Sequence, residues 1–172
     1  TTSTTTTSST TSTTTPTTTT LPPGPTAIEC VGDLPIGLRV GQVLLPVVDQ
    51  AGLAVIADLA GRGLVAGAVV IGSPGDGFPA AVAAVQEASA TGPVVIAVDE
   101  EGGTVQRFGA LLGEFPSAAE MGAMSIGDVR ELARERAVAI ATLGVTVNLA
   151  PVLDVGSGPG IGTRSFSDNP IV

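Results

Sequence analysis

The chain has 172 residues, a formal net charge of −9, and four Phe as its only aromatic side chains. Its seven basic residues are all Arg and it has no His. Within these residues that excludes a Walker-type phosphate loop, a lysine Schiff base, a Ser-His-Asp triad and an ordinary zinc site. Chemistry here has to come from carboxylates, guanidiniums, hydroxyls and backbone amides. No cofactor and no metal are expected, and the acidic balance argues against a nucleic-acid partner.

Residues 1–27 open on a run made only of Thr, Ser and Pro, and they read as a disordered linker. Tracts of this kind tether secreted domains, so a secreted or cell-envelope location is expected, with the cytoplasm as the alternative. Cys30 is the only cysteine and cannot form an internal disulfide. Residues 28–172 form the second unit. Val43 to Val48 is its first predicted strand and Ala51 to Ala60 a helix. Ala66 to Ile71 is the second strand, and Pro79 then opens a helix reaching about Ala90. Val94 to Val98 is the third strand, an unbroken apolar run. After an excursion from Asp99 to Gly122, Ser125 and Asp128 cap a helix that Gly144 ends. Its predicted apolar face is Val129, Leu132, Ala133, Ala137, Ile140 and Ala141, while Arg130, Arg134 and Arg136 alternate with Glu131 and Glu135 as a solvated face. Val145 to Leu149 is the fourth strand. The longest charge-free run of the folded part, Ala137 to Leu153, contains Gly144, Asn148 and Pro151 and is too short to span a membrane.

Strands alternating with helices specify an α/β fold with parallel strands. A doubly wound open sheet fits that pattern, and so does the first half of a (β/α)8 barrel, which needs about 250 residues when complete. The pattern taken alone favours the open sheet. In either case the loops at the strands' C-terminal ends carry function. The third such loop, Asp99-Glu-Glu-Gly-Gly-Thr-Val-Gln-Arg107, holds three consecutive acids, a glycine pair and an arginine; the fourth contains Asp154 and later Arg164. Adjacent carboxylates repel, so Arg107 is the expected counter-ion. A salt-bridged turn accounts for part of this pattern, and its concentration at one strand end favours a polar ligand. The glycine-rich segment from Gly156 to Gly162 fails the dinucleotide fingerprint, because Ile161 falls where the third glycine is required.

The motifs are more specific than generic acids. Val98-Asp99-Glu-Glu-Gly-Gly-Thr-Val-Gln-Arg107-Phe and Phe115-Pro-Ser-Ala118 come first. Leu143-Gly-Val-Thr-Val-Asn-Leu-Ala-Pro-Val-Leu-Asp154 and Ile161-Gly-Thr-Arg164-Ser-Phe166 follow in order. With an opening segment at Val40-Gly41-Gln42, the chain resembles the N-terminal domain of family 3 glycoside hydrolases, in the bacterial β-N-acetylhexosaminidase branch, from about Val40 onward. The resemblance implies the first half of a (β/α)8 barrel, a carbohydrate substrate and a retaining reaction through a glycosyl-enzyme. It implies that Asp99 hydrogen-bonds sugar hydroxyls, that Arg107 and Arg164 position the ring, and that Asp154 supports them. Glu100 falls at a position the motif leaves variable. β-Glucoside specificity stays open. The segment Lys-His-Phe-Pro-Gly-His-Gly, with the histidine acid/base, and the nucleophilic Asp are expected downstream of Val172, so none of the catalytic residues is expected here. Thr104, where arginine is usual, and Ser167-Asp168-Asn169 depart from the pattern. On this reading the 172-residue chain alone is inactive. Half a barrel also exposes strand edges, so its self-association is expected.

Overall fold

The computed structural model describes Gly32 and residues 34–156 and 158–169. The linker 1–27 and the domain start at Ile28 lie outside these residues. Helix α1 (Ile36–Gly41) follows Pro35 and was not foreseen from the sequence. It also shortens the first predicted strand. The amides of Val43 and Leu44 turn back to the carbonyls of Val40 and Gly41, which leaves β1 as Val47–Val48. Helix α2 (Leu53–Gly61), β2 (Gly67–Val70), α3 (Phe78–Ala88, with proline in its first turn) and β3 (Val95–Val98) follow the predicted alternation. The excursion after β3 contains two short helices, α4 (Gly109–Leu112) and α5 (Ala118–Gly122). Helix α6 (Ile126–Thr142) leads to β4 (Val147–Asn148), and a 3-10 turn covers Gly162–Arg164. The caps of α6 are those expected. Ser125 Oγ accepts from the Asp128 amide at 3.1 Å, and Gly144 takes φ 92°.

The sheet has the order β1-β2-β3-β4 with every pair parallel. A doubly wound sheet reverses its strand order partway, whereas sequential neighbours wind in one direction as a barrel does. The order therefore decides against the open sheet. Side chains alternate along each strand. Ala68, Val70, Ile96 and Val98 form the core with Leu53, Ile56 and Ala60 of α2, Phe78, Val82 and Val85 of α3, and Ile140 of α6. The laterally paired Val47, Val69, Ala97 and Val147 take the opposite face, which in a barrel is the interior. Phe78 also meets Phe108 of the following loop, with ring centroids 5.2 Å apart, so the loop after β3 is rooted in the core.

The predicted face of α6 needs correction. Of its six residues only Ile140 is buried, while Ala133, Ala137 and Ala141 are exposed. Val129, Ala133 and Ala137 instead line an apolar cleft of about 180 Å³ with Phe115, Met121 and Phe166. Arg136, assigned from the sequence to a solvated face, is buried beside Ile140. The exposed pair Arg134–Glu131 matches its assignment.

Candidate active-site wall

The alternation of β3 decides where the three acids go. Val98 faces the helices, so Asp99 continues on the Ala97 side and Glu100 on the helix side. Their exposures follow: the Asp99 side chain keeps 32% of its surface, and that of Glu100 keeps none. Each carboxylate then meets its own arginine.

Arg107 Nη2 donates to Asp99 Oδ2 at 3.4 Å, the counter-ion role expected of it. This is a long contact, and Asp99 keeps acceptor capacity beyond it. The buried Nε of Arg107 has no acceptor among the described residues. Glu101 is held by Arg164 through a two-pronged contact, Nε at 2.8 Å and Nη2 at 2.7 Å. That hydrogen-bonded carboxylate raises the Arg164 pKa above the ordinary arginine value; its charge and those of Asp99 and Asp154 add to the effect. Arg164 therefore stays charged, and Asp99, Asp154 and Arg164 share one electrostatic neighbourhood. Asp154 is exposed, and its carbonyl accepts from Ser165 Oγ at 2.9 Å. The four residues singled out from the sequence thus gather at one end of the sheet.

Glu100 is different. Oε1 accepts from Arg136 Nε at 2.9 Å and Nη2 at 2.5 Å, and Oε2 accepts from the amides of Arg107 at 2.6 Å and Phe108 at 3.2 Å. The Asn148 side chain of β4 clamps the Glu100 backbone, accepting from its amide at 3.0 Å and donating to its carbonyl at 3.2 Å. The sequence reading left Glu100 as a variable position and missed Arg136 as its partner. Spacing held the signal. Leu132, Arg136, Ile140 and Leu143 stand four, four and three apart, which places Arg136 on an inward helical stripe.

Gly102 and Gly103 make the turn that carries the loop away from β3, at φ 90° and 57°. A side chain on Gly102 would collide with the Pro116 carbonyl and one on Gly103 with Ser117, so both glycines are needed for the loop to lie on the Phe115-Pro116-Ser117 segment. With every acid of the loop matched to a guanidinium, the wall is suited to hold a neutral, hydroxyl-rich ligand through charged hydrogen-bonding groups.

Residues 76–172 match the model of the family described as Glycosyl hydrolase family 3 N terminal domain. Beta-hexosaminidase LpqI of Mycobacterium tuberculosis is 40% identical over 111 residues, covering 60% of this chain and 29% of LpqI. The solved structure of LpqI superposes with a TM-score of 0.71 at 33% identity, over 83% of this chain and 43% of that one. A GH3 glycosyl hydrolase of Mycobacterium smegmatis gives 0.71 at 30% identity, over 82% and 44%. The chain thus spans less than a third of this curated relative and less than half of either solved chain. Its parallel sheet is the first half of the (β/α)8-type barrel of these enzymes. With the family model matching more than half of its residues, the chain belongs to glycosyl hydrolase family 3.

Proposed function

We propose that the chain is the N-terminal part of a retaining glycoside hydrolase that removes terminal β-linked N-acetylhexosamine from glycans or cell-wall fragments. Asp99, Arg107 and Arg164 hold the sugar in this reading, with Asp154 in support. The observation that carries it is the Asp99–Arg107 pair on the barrel-interior side of a strand end, with a buried Arg107 Nε that has no acceptor among the described residues. A desolvated guanidinium N–H is costly unless a ligand oxygen takes it, and sugar hydroxyls supply such oxygens. The beta-hexosaminidase name of LpqI supports the sugar class. We place the protein outside the cell or at its envelope on the strength of the Thr/Ser/Pro tract. None of the helices among the described residues is long and apolar enough to cross a membrane.

A second reading, a carbohydrate-binding module without chemistry, draws on a specific observation. All three acids of the loop are arginine-paired and the 172 residues contain no His, so none of these three acids is poised as nucleophile or general acid. Both readings expect no hydrolysis of an aryl N-acetyl-β-glucosaminide by residues 1–172. Turnover above a denatured control would place chemistry within these residues and contradict both. A complete gene carrying a downstream Lys-His-Phe-Pro-Gly-His-Gly segment separates the hydrolase from the module.

We further propose that the isolated chain self-associates. Among the described residues β1 and β4 are edge strands, and Val47 of the first and Val147 of the second are 62% and 38% exposed. Light scattering over a concentration series should show mass rising with concentration. A concentration-independent monomer with a cooperative melt would overturn the expectation.

A further inference from the structure

We propose that the buried Glu100–Arg136 pair is a positioning device for Arg107. The proposal rests on the reading above in which Arg107 meets the sugar. Replacing a buried ion pair by apolar residues of similar volume is often neutral for stability, so packing alone gives no reason for a charged pair at this place. What apolar side chains cannot supply is the set of hydrogen bonds this pair makes. Glu100 accepts from the amides of Arg107 and Phe108. Arg136 donates onward from Nη1 to the Leu112 carbonyl at 3.2 Å and from Nη2 to the Gly113 carbonyl at 3.0 Å. Its guanidinium carbon also lies 5.1 Å from the centroid of the Phe115 ring. Every one of these partners belongs to the segment 107–115, which must return from the glycine turn and bring Arg107 back over Asp99.

The consequence is a division of labour between neighbours in sequence. Asp99 meets the ligand side, and Glu100, one residue on, reaches through the layer to α6 and sets the backbone from which Arg107 projects. Helix α6 thereby fixes the geometry of a wall it does not itself line. Phe108 in the core supplies depth, since its ring is fully buried. The carboxylate supplies register, because its Oε2 can accept both amides only with residues 107 and 108 in their present places.

The test uses the 172-residue chain with the double substitution Glu100→Met, Arg136→Met, which removes both charges and leaves no unpaired ion. Far-UV circular dichroism should stay near that of the unsubstituted chain. The Arg107 Nε–H, buried in the native chain, should exchange with solvent at least tenfold faster by NMR, and N-acetylglucosamine should bind at least tenfold more weakly. A folded double variant with unchanged Arg107 Nε–H exchange would overturn the proposal. Should the double variant fail to fold, Glu100→Gln decides in its place. Its carboxamide has a single acceptor oxygen and cannot serve both the amides and Arg136, so the same acceleration is expected, and unchanged exchange would overturn the proposal. If the native chain does not respond to N-acetylglucosamine while the variant still releases the Arg107 Nε–H, the sugar reading fails and the positioning of Arg107 stands.

Discussion

Substituting Arg136 alone with Met is expected to destabilise the chain by about 3–5 kcal/mol, a large share of the roughly 5–15 kcal/mol that holds an ordinary domain folded. The loss comes less from the missing bond than from the partner left behind. The Glu100 side chain has no solvent-exposed surface and would lose its counter-ion within an apolar layer, keeping only two amides as partners. Arg136 also satisfies the carbonyls of Leu112 and Gly113; of these, Gly113 keeps a second donor in Gln106 Nε2 at 2.7 Å. Urea denaturation followed by circular dichroism measures the effect. Arg134→Ala is the natural control, because its pair with Glu131 is exposed and such pairs contribute little. A loss for Arg136→Met no larger than for the control would mean that Glu100 and Arg136 are not coupled as described.

Asp99→Ala is expected to do the reverse, leaving stability nearly unchanged and removing sugar recognition. Asp99 is partly exposed and makes one long contact, so its loss strands only the Arg107 guanidinium, which already has access to solvent. In the complete hydrolase proposed to carry this segment, a charged hydrogen bond to the sugar that strengthens in the transition state is worth about 3 kcal/mol, a loss of roughly a hundredfold in kcat/KM. Glu100→Ala should also abolish activity, but through the fold. The two substitutions are therefore distinguished by melting temperature rather than by rate. Equal destabilisation by both would contradict the assignment of Asp99 to one side of the layer and Glu100 to the other.

What the sequence made legible was local. Apolar runs marked the strands, Ser125 and Gly144 marked the ends of α6, and Asp99 with Arg107 lay close enough in the chain for their pairing to be foreseen. The gathering of Asp99, Asp154 and Arg164 was foreseen from their places in strand-end loops, whereas the contact between Arg164 and Glu101, which crosses 63 residues, was not. Arg136 was hidden by its neighbours. Arg130-Glu131 and Arg134-Glu135-Arg136 read as one solvated stripe, and the four-residue spacing of Arg136 from Leu132 and Ile140 was the signal that it turns inward to the buried Glu100. The choice between barrel and open sheet was also not legible from pattern, because both alternate strand and helix; strand order decided it. Helix α1 and the two short helices of the excursion carry too few residues to show periodicity.

In the proposed function the strand-end wall of Asp99, Arg107 and Arg164 binds a sugar. A titration of the isotope-labelled 172-residue chain with N-acetylglucosamine, followed by amide and arginine side-chain NMR, tests it most directly. Saturable shifts are expected at Asp99, Arg107 and Arg164, with a slowed exchange of the Arg107 Nε–H as a ligand oxygen takes it, and loss of both in Asp99→Ala. Shifts confined to the apolar cleft between Phe115 and Phe166, or an Asp99→Ala chain that binds as tightly as the native one, would contradict it.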